Sequence, residues 1–292
     1  MMDSVKMMWP GGRAKALTFS YDDGVVQDRR LIALMRQNGL KGTFNLNSGF
    51  LGWQDSIVRD RREVDHSHIP PEEVPVLYEG FEIAVHTVTH PDLCVLNDAM
   101  VLHEVLTDRI VLERLVGYPI HGMAYPFGTT NARVKALMGA CGIRFARGVR
   151  TTADFSLPED PLDWACSCHH YDLEPLIDPF LENDGELKLL SVWGHAYEFD
   201  QKDEWDKIEG QFARLGGHDD VWYATNIEVF DYISAFRALD TSADGQLLRN
   251  ESAATLWVLD RGQVLLLSPG QTIRRTPDSD EQVHPFRIWK NA

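Results

Sequence analysis

The chain is poor in several features that would assign it to common functional classes. It has only four cysteines in 292 residues (Cys94, Cys141, Cys166 and Cys168). They show no disulfide framework and read as reduced, buried thiols. No apolar stretch approaches the roughly 20 residues of a membrane-spanning helix. Met1 to Gly12 has no apolar signal-peptide core, so a cytoplasmic location is expected. Positive charge is scarce: 28 Lys and Arg against 44 Asp and Glu give a formal charge of −16. That field repels nucleic acid, anionic membrane and polyanionic glycans, and no basic run counters it. Neither a nucleic-acid nor a membrane partner is expected, and a neutral or cationic substrate fits better. Internal repeats and low-complexity tracts are also missing.

A hydrophobic content of 44% is ample for a packed core. Strand-like and helix-like stretches alternate. Ala16-Leu17-Thr18-Phe19 begins the first strand, and Gly42 to Leu46, Phe81 to Val85, Gly122 to Tyr125, Ile143 to Arg147 and Leu187 to Trp193 supply further ones. Asp28, Asn97, Asn131 and Asn226 are placed to start the intervening helices. Some seven βα units in series predict an α/β fold, a distorted (β/α)7-type barrel over residues 1–240. An open doubly wound sheet is the alternative, but no glycine-rich phosphate loop follows the first strand. Asn47 to Pro75 reads as one long irregular span. From Asp240 the texture changes to β runs joined by Asp260-Arg261-Gly262, so residues 241–292 are expected to form a small β appendage. That appendage is open to three roles: capping the barrel, binding glycan or mediating homo-oligomer formation.

Reactive side chains gather at strand ends. Asp22, Asp23, His86, Tyr125, Arg147, His169 and His195 all lie at or just beyond the C-terminal ends of predicted strands. In a barrel those ends converge on one mouth, where catalytic residues collect. His86 and His90 are four apart and project to one side if the chain makes a helical turn after Val85. With one aspartate they form a His₂–carboxylate set suited to a catalytic divalent ion, Zn²⁺ first, with Co²⁺, Ni²⁺ or Mn²⁺ also admitted. One of the two adjacent aspartates can bind metal while its neighbour takes a proton from water.

Thr18-Phe19-Ser20-Tyr21-Asp22-Asp23-Gly24 and His86-Thr87-Val88-Thr89-His90 resemble the first two motifs of the polysaccharide deacetylases, the NodB-homology domain of carbohydrate esterase family 4. The resemblance covers roughly residues 14–235. It implies a metal-dependent hydrolase that removes N-acetyl or O-acetyl groups from sugars within an incomplete barrel. It makes Asp22 the general base and Asp23, His86 and His90 the metal ligands. Tyr125-Pro126-Phe127-Gly128 resembles the third motif, whose backbone N–H after the proline helps hold the oxyanion. Val192-Trp193-Gly194-His195 resembles the last motif, whose histidine is the general acid. Tyr125, Phe127, Trp193 and His169 are then expected to contact substrate.

The pattern also departs from the family. Ala124 stands where an arginine usually steadies the catalytic aspartate, and Arg147 either reaches that carboxylate or makes a surface ion pair. Asp160-Pro161-Leu162-Asp163-Trp164 has the spacing of the fourth motif, yet Cys168-His169-His170 could equally supply its partner group. Ala196 occupies a position that is usually acidic. Three readings follow: a deacetylase of soluble acetylated oligosaccharides, an amidase on a small amide or cyclic imide, and a catalytically silent carbohydrate-binding protein on the same scaffold.

Overall fold

The computed structural model describes residues 5–59 and 61–275. These described residues fall into two compact units, one within 13–231 and the other formed by 5–12 with 232–275.

The larger unit is built on a nine-stranded sheet whose ordered pairs are all parallel. Lys15–Asp23 is its central strand. It pairs along one side with Lys188–His195 and along the other with Gly42–Leu46, which continues through Glu82–Val85 and Gly122–Ala124 to Phe145–Thr151. Trp164–Cys166 pairs with Phe145–Thr151, and after Ser167 the chain resumes as Cys168–His169 against Lys188–His195. This one interrupted segment therefore joins the two ends of the strand order and closes the distorted barrel. Val221–Tyr223 pairs with the start of Lys15–Asp23.

Each barrel strand carries two different faces. Leu17, Phe19, Tyr21, Phe44, Leu46, Ile83, Val85, Leu190 and Val192 belong to the apolar core. Phe19, for example, meets Phe212 of helix Trp205–Leu215 edge-on at 5.0 Å. The alternate residues (Thr18, Ser20, Asp22, Thr43, Asn45, Glu82, Ser191) are just as buried but polar. Successive side chains in a strand point to opposite faces, so a run that looks uniformly buried sorts its apolar residues outward to the helices and its polar ones inward. The polar interior is hydrogen-bonded, as burial requires: Thr43 donates to Glu82 (2.7 Å), and Asn45 donates to Ser20 (2.9 Å). Gly122 is needed at its place, because a Cβ there would stand 2.3 Å from the Phe145 ring.

The span after Asn47 is more ordered than its composition suggests. Ser56–Arg59 and Arg62–Asp65 pair as an antiparallel hairpin, a structure with little stability of its own. It is tied down by Arg62, which donates to Gln201 O (3.2 Å), and by Gln27, which donates to Asp65 O (2.7 Å).

The smaller unit holds two three-stranded antiparallel sheets. One combines Lys6–Met8 with the expected hairpin Leu256–Asp260 and Gln263–Leu267, whose turn residues Arg261 and Gly262 both have positive φ, as a two-residue turn of this hand requires. The other contains Leu239–Thr241, Leu247–Asn250 and Thr272–Arg274. Among the described residues, no helix is long and apolar enough to cross a membrane.

Candidate active site

The strand Lys15–Asp23 ends abruptly because Asp23 and Gly24 both take left-handed backbone angles (φ 78° and 70°), which turn the chain out of the sheet. Asp22 still points into the barrel and Asp23 lies at its rim. His195 is the register partner of Asp22 on the neighbouring strand, so the two share one level of the mouth.

His86 and His90 do converge, by a different route from the helical turn expected. Thr87 and His90 adopt left-handed angles (φ 69° and 56°), and Thr87 Oγ1 accepts from the His90 N–H at 3.1 Å. Such strained non-glycine residues persist where surrounding contacts hold them. Asn47 supplies one, donating to Thr87 O at 2.9 Å. The two imidazoles lie 4.8 Å apart, centroid to centroid.

Asp23, His86 and His90 each offer a ligand atom, all within 4.8 Å of one another. Asp23 Oδ1 is 3.5 Å from His86 Nε2 and 3.9 Å from His90 Nε2. His86 Nδ1 lies 2.8 Å from Ala124 O. A carbonyl only accepts, so Nδ1 carries the proton and Nε2 turns its lone pair toward Asp23, the usual outer support of a metal-binding histidine. Burial and the neighbouring His86 push the His90 imidazole down to about 4, which keeps it neutral. Burial would raise the Asp23 carboxyl, but the His66 ring, 3.6 Å from Asp23 Oδ2, and the charge of His195 hold it far below its ordinary value. An ionised carboxylate beside two imidazoles is a donor set that suits a divalent cation.

Asp22 has different company. Arg147, 1% exposed, donates to Asp22 Oδ1 through Nη2 and to Ser20 Oγ through Nε at 3.0 Å. Asn45 donates to the same Asp22 oxygen at 2.9 Å. Burial works to raise the Asp22 carboxyl, while Arg147, His86 and His195 lower it, with a net shift downward. The register explains how Arg147 comes to be there. Ala124 and Arg147 are direct partners across adjacent strands, so a guanidinium from position 147 enters the barrel one strand away from position 124.

His195 Nε2 stands 3.9 Å from Asp22 Oδ2, and its Nδ1 is 3.2 Å from Glu198. Burial disfavours the imidazolium, but the Glu198 carboxylate beside it and the charges of Asp23 and Asp22 prevail and raise His195 to about 9. The fourth-motif candidates lie elsewhere: Asp160 pairs with Lys135 (2.8 Å) and Asp163 with Arg150 (3.0 Å). Glu198 was not foreseen; its only sequence signal is the spacing His195-x-x-Glu198, which runs from the end of strand Lys188–His195 into helix Tyr197–Lys202.

His169 sets its ring edge-on to Trp193 at 4.5 Å. Its Nδ1 accepts from the Tyr171 N–H at 3.3 Å, so Nε2 carries the proton and faces Glu198 at 3.2 Å. The same tautomer disfavours a second metal seat at His169, His170 and Glu198, although their ligand atoms are also close together.

Asp22, Asp23, His86, His90, Tyr125, Phe127, Trp193 and His195 all border one cavity of about 470 Å³. Phe127 has a positive φ of 57°, is 62% exposed, and sets its ring edge-on to His90 at 4.7 Å. Tyr125 is anchored through its hydroxyl, which donates to Leu162 O (2.9 Å). Arg147 lies over the Trp193 ring at 5.2 Å.

Residues 10–146 match the family model described as polysaccharide deacetylase. A chitin deacetylase of Pestalotiopsis sp is 27% identical over 150 residues, 50% of this chain. The chain covers 45% of that relative's length. A putative polysaccharide deacetylase from Mycobacterium smegmatis has a similar structure, with a TM-score of 0.56 at 15% identity over 80% of this chain and 95% of its own. The Streptococcus pyogenes deacetylase PplD aligns over 50% of this chain and 61% of its own, at 16% identity and TM-score 0.44.

Proposed function

Since residues 10–146 belong to the polysaccharide deacetylase family, we propose that the chain is a metal-dependent hydrolase that removes acetyl groups from N-acetylated or O-acetylated sugars, soluble oligosaccharides in particular. The observation that carries this reading is the meeting of Asp22, Asp23, His86, His90 and His195 at one cavity, with Arg147 paired to Asp22 and Glu198 beside His195.

Asp23, His86 and His90 would hold the ion, Zn²⁺ by donor type. A divalent ion bound there supplies Lewis-acid polarisation of a carbonyl and a water of lowered pKa. Asp22, kept ionised by Arg147, accepts the proton of the attacking water as general base. The backbone N–H of Phe127 donates to the oxyanion. His195, charged beside Glu198, protonates the departing amine or alcohol. Tyr125, Phe127 and Trp193 wall the substrate. Arg147 fixes the orientation of the base, the part that an arginine at position 124 would otherwise play.

Acetate and ammonia release over a panel of acetylated sugars and small amides tests the reading, with protein stripped of metal and reloaded with Zn²⁺, Co²⁺, Ni²⁺ or Mn²⁺. Metal-dependent acetate release from acetylated sugars, lost in Asp22→Asn, supports it. A second reading, an amidase on a small non-sugar amide or cyclic imide, draws support from the modest cavity and its apolar walls, Phe50, Ile57 and Val149 among them. Turnover of amides without acetate release would favour that reading. A protein that binds sugar but no stoichiometric metal is neither.

A further inference from the structure

We infer that His66 is a positioning residue of the metal seat: its imidazole holds the outer oxygen of Asp23, so that Asp23 offers its other oxygen alongside His86 and His90. This rests on the reading of Asp23, His86 and His90 as ligands.

Immediately after Asp23, the segment Gly24 to Gln27 lies antiparallel against Asp65 to Ile69. The Ile69 N–H donates to Gly24 O at 2.9 Å and the Val26 N–H to Ser67 O at 2.8 Å. Val25 and His68 form a β-bridge, and the Gln27 amide donates to Asp65 O at 2.7 Å. The chain leaving the metal seat is therefore stitched to the chain that carries His66, which fixes the separation of residues 23 and 66. The His66 N–H donates to Asp55 O at 2.9 Å. Its ring is set edge-on to both His68 (5.1 Å) and Tyr197 (4.9 Å).

The side chains divide the carboxylate between them. His66 Nε2 lies 3.6 Å from Asp23 Oδ2, while Oδ1 faces His86 and His90. The terminal torsion of an aspartate is soft and two-fold, so nothing intrinsic to Asp23 decides which oxygen points inward or whether both do. A contact on Oδ2 alone decides it, and a ligand held in its coordinating pose binds metal more tightly. Partners that orient a metal ligand are typically worth about 10–100-fold in affinity. His66 arrives on the segment that contains the hairpin Ser56–Asp65, so this segment supports the metal seat as well as bordering the cavity.

Zn²⁺ affinity of the full chain, measured by competition with a chromophoric chelator, tests the inference without reference to turnover. His66→Phe fills the space without a donor, and His66→Gln retains an amide N–H. We expect His66→Phe to bind one Zn²⁺ about 10–100-fold more weakly, with His66→Gln recovering part of the loss and the metal-free melting temperatures of all three alike. Wild-type affinity in His66→Phe overturns the inference. Equal loss in both variants also overturns it, since a nitrogen that only orients is replaceable by an amide. A wild-type chain that binds no Zn²⁺ sinks the metal-site reading itself, a different result from a tight wild type with an indifferent His66.

Discussion

Replacing Arg147 with alanine probes how the interior of the barrel is held. The guanidinium is 1% exposed and Asp22 is 4% exposed at the side chain, so the pair is almost wholly removed from water. Arg147 also donates to Ser20 Oγ at 3.0 Å and to Gly148 O at 3.1 Å, and truncation takes a donor from all three acceptors. Removing one partner of a buried pair costs about 3–5 kcal/mol, chiefly because the remaining charge is uncompensated. Asp22 keeps the Asn45 amide at 2.9 Å, which puts the expected loss near the lower end, about 3 kcal/mol. The folded-state carboxyl of Asp22 is depressed below its ordinary value, so its stabilising contribution is present above the unfolded value of about 4 and disappears as pH falls. The penalty in Arg147→Ala should therefore be full at pH 7 and shrink toward pH 4. Without Arg147, burial prevails and the Asp22 carboxyl rises, so the acid limb of activity should move to higher pH. Urea unfolding at several pH values, turnover and metal content together check the argument. Metal content should stay at the wild-type level because Asp23, His86 and His90 are untouched. Unchanged turnover with a destabilisation below about 1 kcal/mol, the worth of an exposed pair, would refute it. Arg147→Lys keeps the charge but not the planar fork that serves Asp22, Ser20 and Gly148 together, and should fall between wild type and alanine.

Three further outcomes follow from the same geometry. Asp22→Asn should lower turnover by about 10²–10⁴-fold, the worth of a positioned base, with metal stoichiometry unchanged; loss of metal would mean that Asp22 is a ligand. Glu198→Gln removes a charge that keeps His195 raised against the pull of burial, so the basic limb of the kcat profile should move about 1 unit or more to lower pH; an unmoved limb would separate Glu198 from the acid. Glu82 is pushed up to about 8 by burial, against the opposing hydrogen bonds from Thr43 and the Ile227 N–H. A raised carboxyl stabilises the fold below its unfolded value and loses that contribution as pH rises through about 8. The contribution of Glu82 should accordingly decline between about pH 5 and 8 by up to about 1.4 kcal/mol per unit, so in urea titrations the stability difference between wild type and Glu82→Gln should shift against wild type over that range.

The residues and their order along the chain made much of the barrel readable. Strand ends betray themselves through residue type: Asp22-Asp23-Gly24, His86 and His195 interrupt apolar runs where the mouth lies, and the structure brings them to one cavity. What escaped the sequence is whatever depends on register between distant strands or on backbone angles with weak local signatures. His86 and His90 meet through left-handed turns at Thr87 and His90, which neither residue type announces. The hairpin of Ser56–Arg59 and Arg62–Asp65 lay hidden because only the paired Ile57 and Val64 turn inward, too few to give the apolar alternation of a half-buried strand.

Glu198 and Arg147 show the same principle from the chemical side. A family pattern names a position, but a site requires a group at a point in space, and several positions reach that point. In a parallel barrel, register partners such as Ala124 and Arg147 point to the same side of the sheet, so a guanidinium can change strands without leaving the carboxylate it serves. His195 and Glu198, three apart across a strand-to-helix junction, likewise meet at 3.2 Å, while the Asp160 to Trp164 segment is left to surface pairs with Lys135 and Arg150. Departures from a motif are therefore best searched for along the ladder and one helical turn onward. On that reasoning, transplanting an arginine to position 124 in an Arg147→Ala background should restore part of the lost turnover. If the double variant stays as inactive as Arg147→Ala, the two positions are not interchangeable routes to Asp22, and the guanidinium at 147 has a further task, such as supporting the Trp193 ring 5.2 Å away.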